Sequence, residues 1–286
     1  MDKPADMGSM TVTTKLRRAL GNIKAGHAGT LDPFATGVLP IAFGKATRLI
    51  PYLMNHLKTY RFELTFGAET DSGDLTGKIT QTSTHRPFTE AILQALPAFK
   101  GEICQTPPKY AALHIDGERA YTRARRGEVF EIPTRRVWIE DLRLLNVQEG
   151  QNATFEVICG SGTYVRTLGQ DLAKKLGTRG HLTQLRRTQV GPFHEKHAIS
   201  LDSILKIGHD WPDVFYPSQA VLDDIPAFEV DKEQARRLCY GQTLLMEPLL
   251  AEGVLKVFCQ GHFLGLARCQ EVGVVPLQMF KRPQDF

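Results

Sequence analysis

A single carboxylate, Asp32, lies in a loop-forming stretch, residues 26–40, that contains almost no other ionisable group. Glycines at positions 26, 29 and 37 and prolines at positions 33 and 40 surround it. Glycine permits tight or left-handed turns, and proline fixes its own φ and restricts the residue before it. The loop therefore dictates the backbone position of Asp32, as a catalytic group requires. A surface turn in which Asp32 caps a local N–H is the alternative that the residues alone leave open.

A carboxylate held in such a loop could take part in covalent chemistry. An ionised Asp can act as a covalent nucleophile, and an adjacent guanidinium would keep it ionised and oriented. Arg166 follows a glycine turn, residues 160–162. The residues alone also allow a phosphate-binding turn or a charged helix start at this place. No Walker lysine follows that turn, which disfavours a nucleotide-binding domain. Tyr60 begins the apolar face of a half-buried strand, residues 60–66, and its position alone favours an ordinary core tyrosine.

Composition narrows the class of protein. The chain has 286 residues, 42% of them hydrophobic and 23% charged, which allows a sizeable core. Five scattered cysteines without a C-x-x-C pair disfavour a disulfide framework or a zinc site. Neither a membrane-spanning apolar run nor a signal peptide stands out, so the expected location is the cytoplasm and no membrane contact is expected.

The net charge of +4 is a weak indication of a nucleic-acid partner, but its distribution says more. One basic cluster lies within residues 119–136 and a second within residues 174–187, with Tyr110, Tyr121 and Tyr164 nearby. Solvated helix faces would explain either cluster alone. Two such clusters with aromatic neighbours favour a surface that follows a phosphate backbone.

The elements that must position these residues form an α+β pattern. Apolar spacing predicts helices over residues 10–23, with Ser9 or Thr11 as N-cap, over 89–99, from about 163 to 176, and over 232–240. Strands are expected over 60–66 and 154–159, extended or mixed structure over 182–190, and short strands over 253–280. We therefore predict a mixed, mainly antiparallel sheet with flanking helices over residues 1–222. A small β-rich module over residues 223–286 follows it.

Several motifs carry a family resemblance. Residues 26–40 contain every fixed position of the pattern G-H-x-G-x-L-D-P-x-A-T-G-x-L. Residues 58–60 fit K-x-Y, residues 162–166 fit G-T-Y-[IV]-R, and residues 185–187 fit L-R-R. In this order, the motifs resemble those of the bacterial tRNA pseudouridine synthases of the TruB type. The match is strong to about residue 193 and weaker after residue 223.

The resemblance implies a fold, a reaction and a set of roles. The fold would be the pseudouridine synthase catalytic fold with a PUA-like C-terminal domain that binds RNA. The enzyme would isomerise the T-loop uridine, position 55 of tRNA, without a cofactor or a metal. Asp32 would be the nucleophile, attacking either C6 of the base or C1′ of the sugar. The remaining substrate-binding residues would be Tyr60 against the uracil, Arg166 paired with Asp32, Leu185 closing the pocket, His27 wedged into the RNA, and Tyr164.

The same resemblance implies the peripheral contacts. An insertion over about residues 105–136 would close over the T-arm of the tRNA. The expected RNA-binding residues are Lys3, Arg123, Arg126, Arg186 and Arg187, and Asp71 would support the site. A monomer without an obligate protein partner is expected. Two alternatives remain: a related synthase acting on ribosomal or other RNA, and a non-catalytic protein that binds or folds tRNA.

Overall fold

The computed structural model describes residues 1–108, 114–115, 118–119, 122–123, 126, 128, 130–207, 214–245, 252–282 and 284. Tyr110 and Tyr121 lie outside these residues, as does part of the expected insertion. The chain divides into two compact units, Met1–Trp211 and Pro212–Phe286. The sequence-based boundary between residues 222 and 223 falls within the second unit.

The helices and strands have the following bounds. The α-helices are α1 (Ser9–Ala19), α2 (Ile50–Asn55), α3 (Thr89–Ala95), α4 (Val165–Lys175), α5 (Leu201–Lys206) and α6 (Lys232–Cys239). Short 3₁₀ helices span Gly44–Leu49, Leu96–Phe99, Glu195–His197 and Ser218–Val221. The strands of the first unit are β1 (Asp2–Lys3), β2 (Ala25–His27), β3 (Thr36–Val38), β4 (Ile41–Phe43), β5 (Lys58–Phe66), β6 (Ala68–Thr70), β7 (Ile79–Thr82), β8 (Gly101–Gln105), β9 (His114–Ile115), β10 (Glu118–Arg119), β11 (Arg135–Gln148), β12 (Asn152–Cys159), β13 (Gly180–Val190) and β14 (Phe193–His194). Those of the second are β15 (Ala227–Glu229), β16 (Gly253–Cys259), β17 (His262–Gln270) and β18 (Gly273–Met279).

An eight-stranded sheet is the framework of the first unit. Its order is β1-β3-β13-β5-β12-β11-β8, and β14 pairs with β13 outside this path. Only the β13–β3 pair is parallel among the pairs described in this sheet; the others are antiparallel. β5 and β13 occupy the middle of the sheet, and β3 lies on the other side of β13. The mixed, mainly antiparallel sheet expected from the sequence is therefore confirmed.

The core of this unit lies on one face of the sheet. Alternation along β5 and β12 points Phe62 and Phe155 to the same side, where their rings stack with centroids 5.2 Å apart. Helix α4 buries Leu168 and Leu172 with them. Apolar residues alternate along the strands and recur every four residues along α4. These patterns pack α4, and the Arg166 that it carries, against the middle of the sheet.

The second unit has its own core. β15 pairs with β16 in parallel, and β16, β17 and β18 follow in antiparallel order. Helix α6 begins with a capping box, in which Asp231 and Gln234 each accept from the other's backbone N–H. Ala235 and Leu238 of α6 are buried with Val257 and Leu264 of the strands. The small β-rich C-terminal domain expected from the sequence is confirmed.

The first helix departs from its prediction. α1 ends at Ala19 instead of continuing to residue 23, and its N-cap is Gly8, without a side-chain capping bond. The hydroxyl of Ser9 binds the backbone of Leu31 instead of capping the helix. Where the structure describes the chain, no helix combines the length and the apolar character that a bilayer crossing requires.

Candidate active site

The Asp32 loop, residues 28–35, connects β2 to β3. The N–H of Ala35 donates to the Asp32 carbonyl (3.1 Å), which closes a turn with Pro33 at its second position. Leu31, Phe34 and Ala35 are buried, whereas the side chain of Asp32 keeps 32% of its surface exposed. The hydrophobic neighbours anchor the loop and leave one carboxylate open to a substrate.

Arg166 faces both oxygens of that carboxylate with one edge of its guanidinium. Its Nε lies 2.8 Å from Asp32 Oδ2, and its Nη2 donates to Oδ1 at 3.0 Å. The third nitrogen, Nη1, donates to the Ser72 carbonyl (2.8 Å). Arg166 sits in the first turn of α4 with only 4% of its side chain exposed. A buried bidentate pair of this kind fixes the orientation of the carboxylate as well as its charge.

Asp74, and not Asp71, contacts Arg166 in the structure. The sequence assigns the supporting role to Asp71, but Asp71 is exposed and accepts from the N–H of Lys78 (2.9 Å). Asp74 is buried, with Oδ2 at 3.5 Å from Arg166 Nη1. Its Oδ1 accepts from the hydroxyls of Ser72 (2.8 Å) and Thr76 (2.6 Å). Spacing alone could not decide which of two carboxylates three residues apart points inward.

Two side chains hold the backbone on either side of Asp32. The hydroxyl of Ser9 donates to the Leu31 carbonyl (2.9 Å) and accepts from the Leu31 N–H (2.8 Å). Lys3 is fully buried, and its ammonium donates to the carbonyls of Pro33 (3.0 Å), Pro4 and Met7 (both 2.7 Å). The RNA contact expected of Lys3 is therefore corrected: burial and three carbonyl partners give it a role within the loop.

Tyr60, Leu185 and Arg187 share the face of the sheet that meets the Asp32 loop. Tyr60 pairs with Arg187 and Phe62 with Leu185 across β5 and β13. Tyr60 is half-buried, Leu185 is buried, and the guanidinium of Arg187 lies 5.9 Å from the Tyr60 ring centroid. Arg187 is only 1% exposed, so the RNA contact expected of it is also corrected. The neighbouring Arg186 points to the opposite face of the strand.

The two expected pocket residues at the edges of the site are held by protein contacts. His27 Nδ1 lies 3.1 Å from the hydroxyl of Thr13, and Nε2 lies 3.2 Å from that of Thr30. The backbone N–H of Tyr164 donates to Gln105 Oε1 (3.0 Å), and Gln105 Nε2 donates to the Tyr164 carbonyl (3.3 Å). The guanidinium of Arg135 stacks 4.5 Å from the Tyr164 ring centroid. Gln105 and Arg135 flank the insertion, so both of its ends contact the turn before α4.

The three remaining arginines expected to bind RNA pair with acids on the surface. Arg126 contacts Glu118 and Glu128 (both 2.6 Å), and Arg123 contacts Glu128 (3.0 Å). Arg186 contacts Asp2 (3.0 Å) and Glu195 (2.6 Å) and keeps 32% of its side chain exposed. Exposed pairs of this type exchange readily for other anions, because each contributes about 0–1 kcal/mol.

Electrostatics set the protonation of the site. Burial raises the pKa of Asp32, and the Asp74 carboxylate acts in the same direction, whereas the Arg166 guanidinium opposes both. Burial also raises the pKa of Tyr60, with Arg187 opposing it, so Tyr60 is a neutral phenol at pH 7. Burial and the charge of Arg187 lower the pKa of His27, which is therefore neutral there too.

The arrangement offers a nucleophile and a platform for a planar ring, on a scaffold of hydrogen bonds. The carboxylate of Asp32 is exposed on one side and held by Arg166 on the other. Among the described residues, no three His, Cys, Asp or Glu side chains form a group that could hold a metal ion. The sequence analysis named Asp32 and Arg166, which the structure brings into contact, and it did not name Asp74, Ser9 or Gln105, which contact Arg166, Leu31 and Tyr164. Asp74 lies in the same motif as Asp71, but the motif does not show which of the two carboxylates points inward.

Comparisons with known proteins agree with this geometry. Residues 17–165 match the family model described as "TruB family pseudouridylate synthase (N terminal domain)". Residues 166–223 match "tRNA pseudouridylate synthase B C-terminal domain", and residues 226–277 match "Pseudouridine synthase II TruB, C-terminal". These three matches follow one another along the chain.

Curated relatives and solved structures extend the comparison. The tRNA pseudouridine synthase B of Caulobacter vibrioides is 46% identical, covering 88% of this chain and 82% of its own. That of Bradyrhizobium diazoefficiens is 42% identical, covering 98% and 84%. The fold resembles a chain in a Cbf5-Nop10-Gar1 complex, with a TM-score of 0.74 at 22% identity over 99% of this chain and 84% of the other. With its family domains in order and its relatives matched over most of their length, this chain belongs to the TruB family of pseudouridylate synthases.

Proposed function

We propose that this chain isomerises the T-loop uridine of tRNA, position 55, to pseudouridine, with Asp32 as the nucleophile. The observation that carries the proposal is the bidentate pair between buried Arg166 and partly exposed Asp32. Family membership and the names of the relatives support tRNA as the substrate. The T-arm, a monomeric state and a cytoplasmic location are parts of the same proposal.

The reaction needs little more than this site contains. The N1–C1′ bond of uridine breaks, the uracil turns, and a C5–C1′ bond forms. The proton lost from C5 is balanced by one taken up at N1, so no electron carrier is consumed. Asp32 attacks C6 or C1′, and Arg166 keeps it ionised and aimed. Tyr60 stacks on the uracil, while Leu185 fills the side of the pocket.

The target uridine must leave its stack before Asp32 can reach it. Enzymes that modify a base extrude it into a pocket, and a side chain fills the gap that it leaves. His27 lies at the start of the Asp32 loop and is uncharged at pH 7, which suits insertion between bases. Its two threonine contacts would be exchanged for contacts with RNA. Arg123, Arg126 and Arg186 would exchange their carboxylates for phosphates.

Site-specific pseudouridine mapping on an unmodified tRNA transcript tests the proposal. We expect the wild-type chain to modify position 55 and Asp32→Asn to modify nothing, although both bind the transcript equally. A transcript with cytidine at position 55 is the substrate control, and it should stay unmodified at every position. Tight binding without modification by the wild-type chain would instead favour the tRNA-binding or tRNA-folding protein. Modification of ribosomal RNA alone would favour the related synthase.

A further inference from the structure

Arg187 occupies the centre of the site without touching its open face. Its backbone lies on β13 between two strands, in register with Gly37 of β3 and with Tyr60 of β5. β13 therefore joins the strand that leaves the Asp32 loop to the strand that carries Tyr60, and Arg187 is one of two residues, with Arg186, that pair with both strands. None of the reaction steps gives Arg187 a task.

The guanidinium of Arg187 reaches both ends of the Asp32 loop. Nε donates to the Val38 carbonyl at 2.7 Å, and Nη2 donates to the Gly29 carbonyl at 2.9 Å. Gly29 precedes Asp32 and Val38 follows it, so the two bonds close the loop across its base. Ser9 and Lys3 hold the backbone next to Asp32, but neither contacts both ends.

Two glycines of the loop motif are explained by the closeness of Arg187. Gly29 has φ +79°, and a Cβ there would lie 3.0 Å from Arg187 Nη1. Gly37 has φ +103°, and a Cβ there would lie 2.2 Å from the Arg187 carbonyl oxygen. Positive φ and close approach both demand glycine. One glycine thus admits the side chain of Arg187 and the other admits its backbone.

The charge of Arg187 also needs an explanation. Within the part of the chain that the structure describes, no carboxylate forms an ion pair with it, although the residue is 1% exposed. Burying a cation costs free energy that carbonyl dipoles offset only when their geometry is good. A lysine would supply a single point charge, whereas the planar fork of an arginine can bind two separated carbonyls together.

We propose that Arg187 is a positioning residue, which fixes the Asp32 loop relative to Tyr60 by binding the carbonyls of Gly29 and Val38. This inference rests on the proposed function and deepens it. Nucleophile and ring platform come from different strands, and the reaction requires them at one separation. A misplacement of about 1 Å in such a geometry lowers rates by about a hundredfold.

Arg187→Lys provides the first test, in single-turnover assays at saturating tRNA with a separate measurement of tRNA affinity. We expect the rate at saturation to fall by about a hundredfold while the Kd for tRNA stays within about twofold. Arg61→Lys is the matched comparison: Arg61 is exposed on β5, on the strand face opposite Tyr60, and both the Kd and the saturated rate should be unchanged. Lysine keeps the positive charge of Arg187 but cannot bind both carbonyls in the same way. A low saturated rate in Arg187→Lys would therefore show that the two hydrogen bonds matter, and not the charge alone.

Gly29→Ala provides the second test and leaves the charge of Arg187 in place. It should lower the saturated rate as well. The double variant Gly29→Ala/Arg187→Lys should be no slower than the slower of the two single variants, because both substitutions disrupt the same interaction. All rates are taken at a temperature where circular dichroism shows the variant folded. If Arg187→Lys does not fold, Gly29→Ala alone decides. A folded variant with the wild-type saturated rate would overturn the inference, and a wild-type chain that makes no pseudouridine would instead overturn the proposed function.

Discussion

Opposing electrostatic influences act on Asp32, and their balance determines the pH at which its carboxyl ionises. Burial and the nearby Asp74 favour the neutral acid, while Arg166 favours the carboxylate. The bidentate contact is short on both oxygens, so a protonated Asp32 would lose part of its bonding to Arg166. Ionisation and correct orientation are therefore linked at this residue.

The rate of the wild-type chain should depend on the raised pKa of Asp32. Only the ionised form attacks, so the single-turnover rate should fall as pH decreases through that pKa. Because the pKa lies above the ordinary value of 3.8, the acid limb should begin to fall at a higher pH than for a free carboxyl. The measurement is the saturated rate against pH on a T-arm transcript. An acid limb at or below pH 3.8 would contradict the prediction.

Asp74→Asn should separate the orienting role of Asp74 from its electrostatic one. Loss of its charge removes an influence that raises the pKa of Asp32, so the acid limb should move to lower pH. Loss of the contact to Arg166 should lower the plateau rate, by up to about a hundredfold if the guanidinium shifts. Asp71→Asn is the matched control, because its exposed carboxyl binds only a turn N–H in the contacts described. An unchanged limb in Asp74→Asn, or equal effects of both variants, would contradict this.

At the scale of elements, α1 acts on the site through its first residue. The sequence offers Ser9 as an N-cap, in which case its removal would cost about 1 kcal/mol and leave catalysis intact. The structure instead directs the hydroxyl to both backbone groups of Leu31, next to Asp32. The two interpretations make different predictions for a single substitution.

Ser9→Ala should therefore impair both stability and turnover. Two buried backbone groups of Leu31 would lose their partner, at about 1–3 kcal/mol of unfolding free energy. The saturated rate should fall too, because the loop loses a constraint beside the nucleophile. Chemical denaturation and single-turnover kinetics measure the two effects. Thr11→Ala, an exposed change in the same helical turn, should do neither; a rate unaffected by Ser9→Ala would restore the capping interpretation.

The sequence indicated the elements and the ionic centre, but not the contacts that hold them. Strand alternation and helical spacing identified β5, β12 and α4, because each buries one face. The burial of Lys3 and Arg187 could not be foreseen, since long cationic side chains are normally exposed. Here backbone carbonyls bind them, and those of Pro33, Gly29 and Val38 are distant in the sequence. The choice between Asp71 and Asp74 depends on the direction of a turn, and spacing carries no information about it.

At the scale of the molecule, tRNA binding should depend on salt. The chain carries a net charge of +4, and phosphate contacts release counterions when they form. In the free protein Glu128 forms ion pairs with both Arg123 and Arg126. Glu128→Gln should therefore tighten tRNA binding and steepen the plot of log Kd against log salt by about one for each additional phosphate that is bound.

Filter binding over a range of salt concentrations measures this effect. Glu149→Gln removes the same charge from the exposed turn between β11 and β12 and is the control for net charge alone. Equal effects of the two variants would mean that Arg123 and Arg126 do not contact RNA. The saturated rate should be unchanged in both variants, because neither residue belongs to the proposed catalytic site.

The Asp32–Arg166 pair joins residues 134 positions apart, and the strands around it pair over comparable distances. Non-local pairing of this kind slows folding, because the chain must close long loops before the contacts form. We therefore expect the catalytic centre to form late in folding, after the helices and the local hairpins. On dilution from denaturant, recovery of pseudouridine formation should lag behind recovery of helical circular dichroism. Activity would then require complete folding, and a partly folded chain would make no pseudouridine.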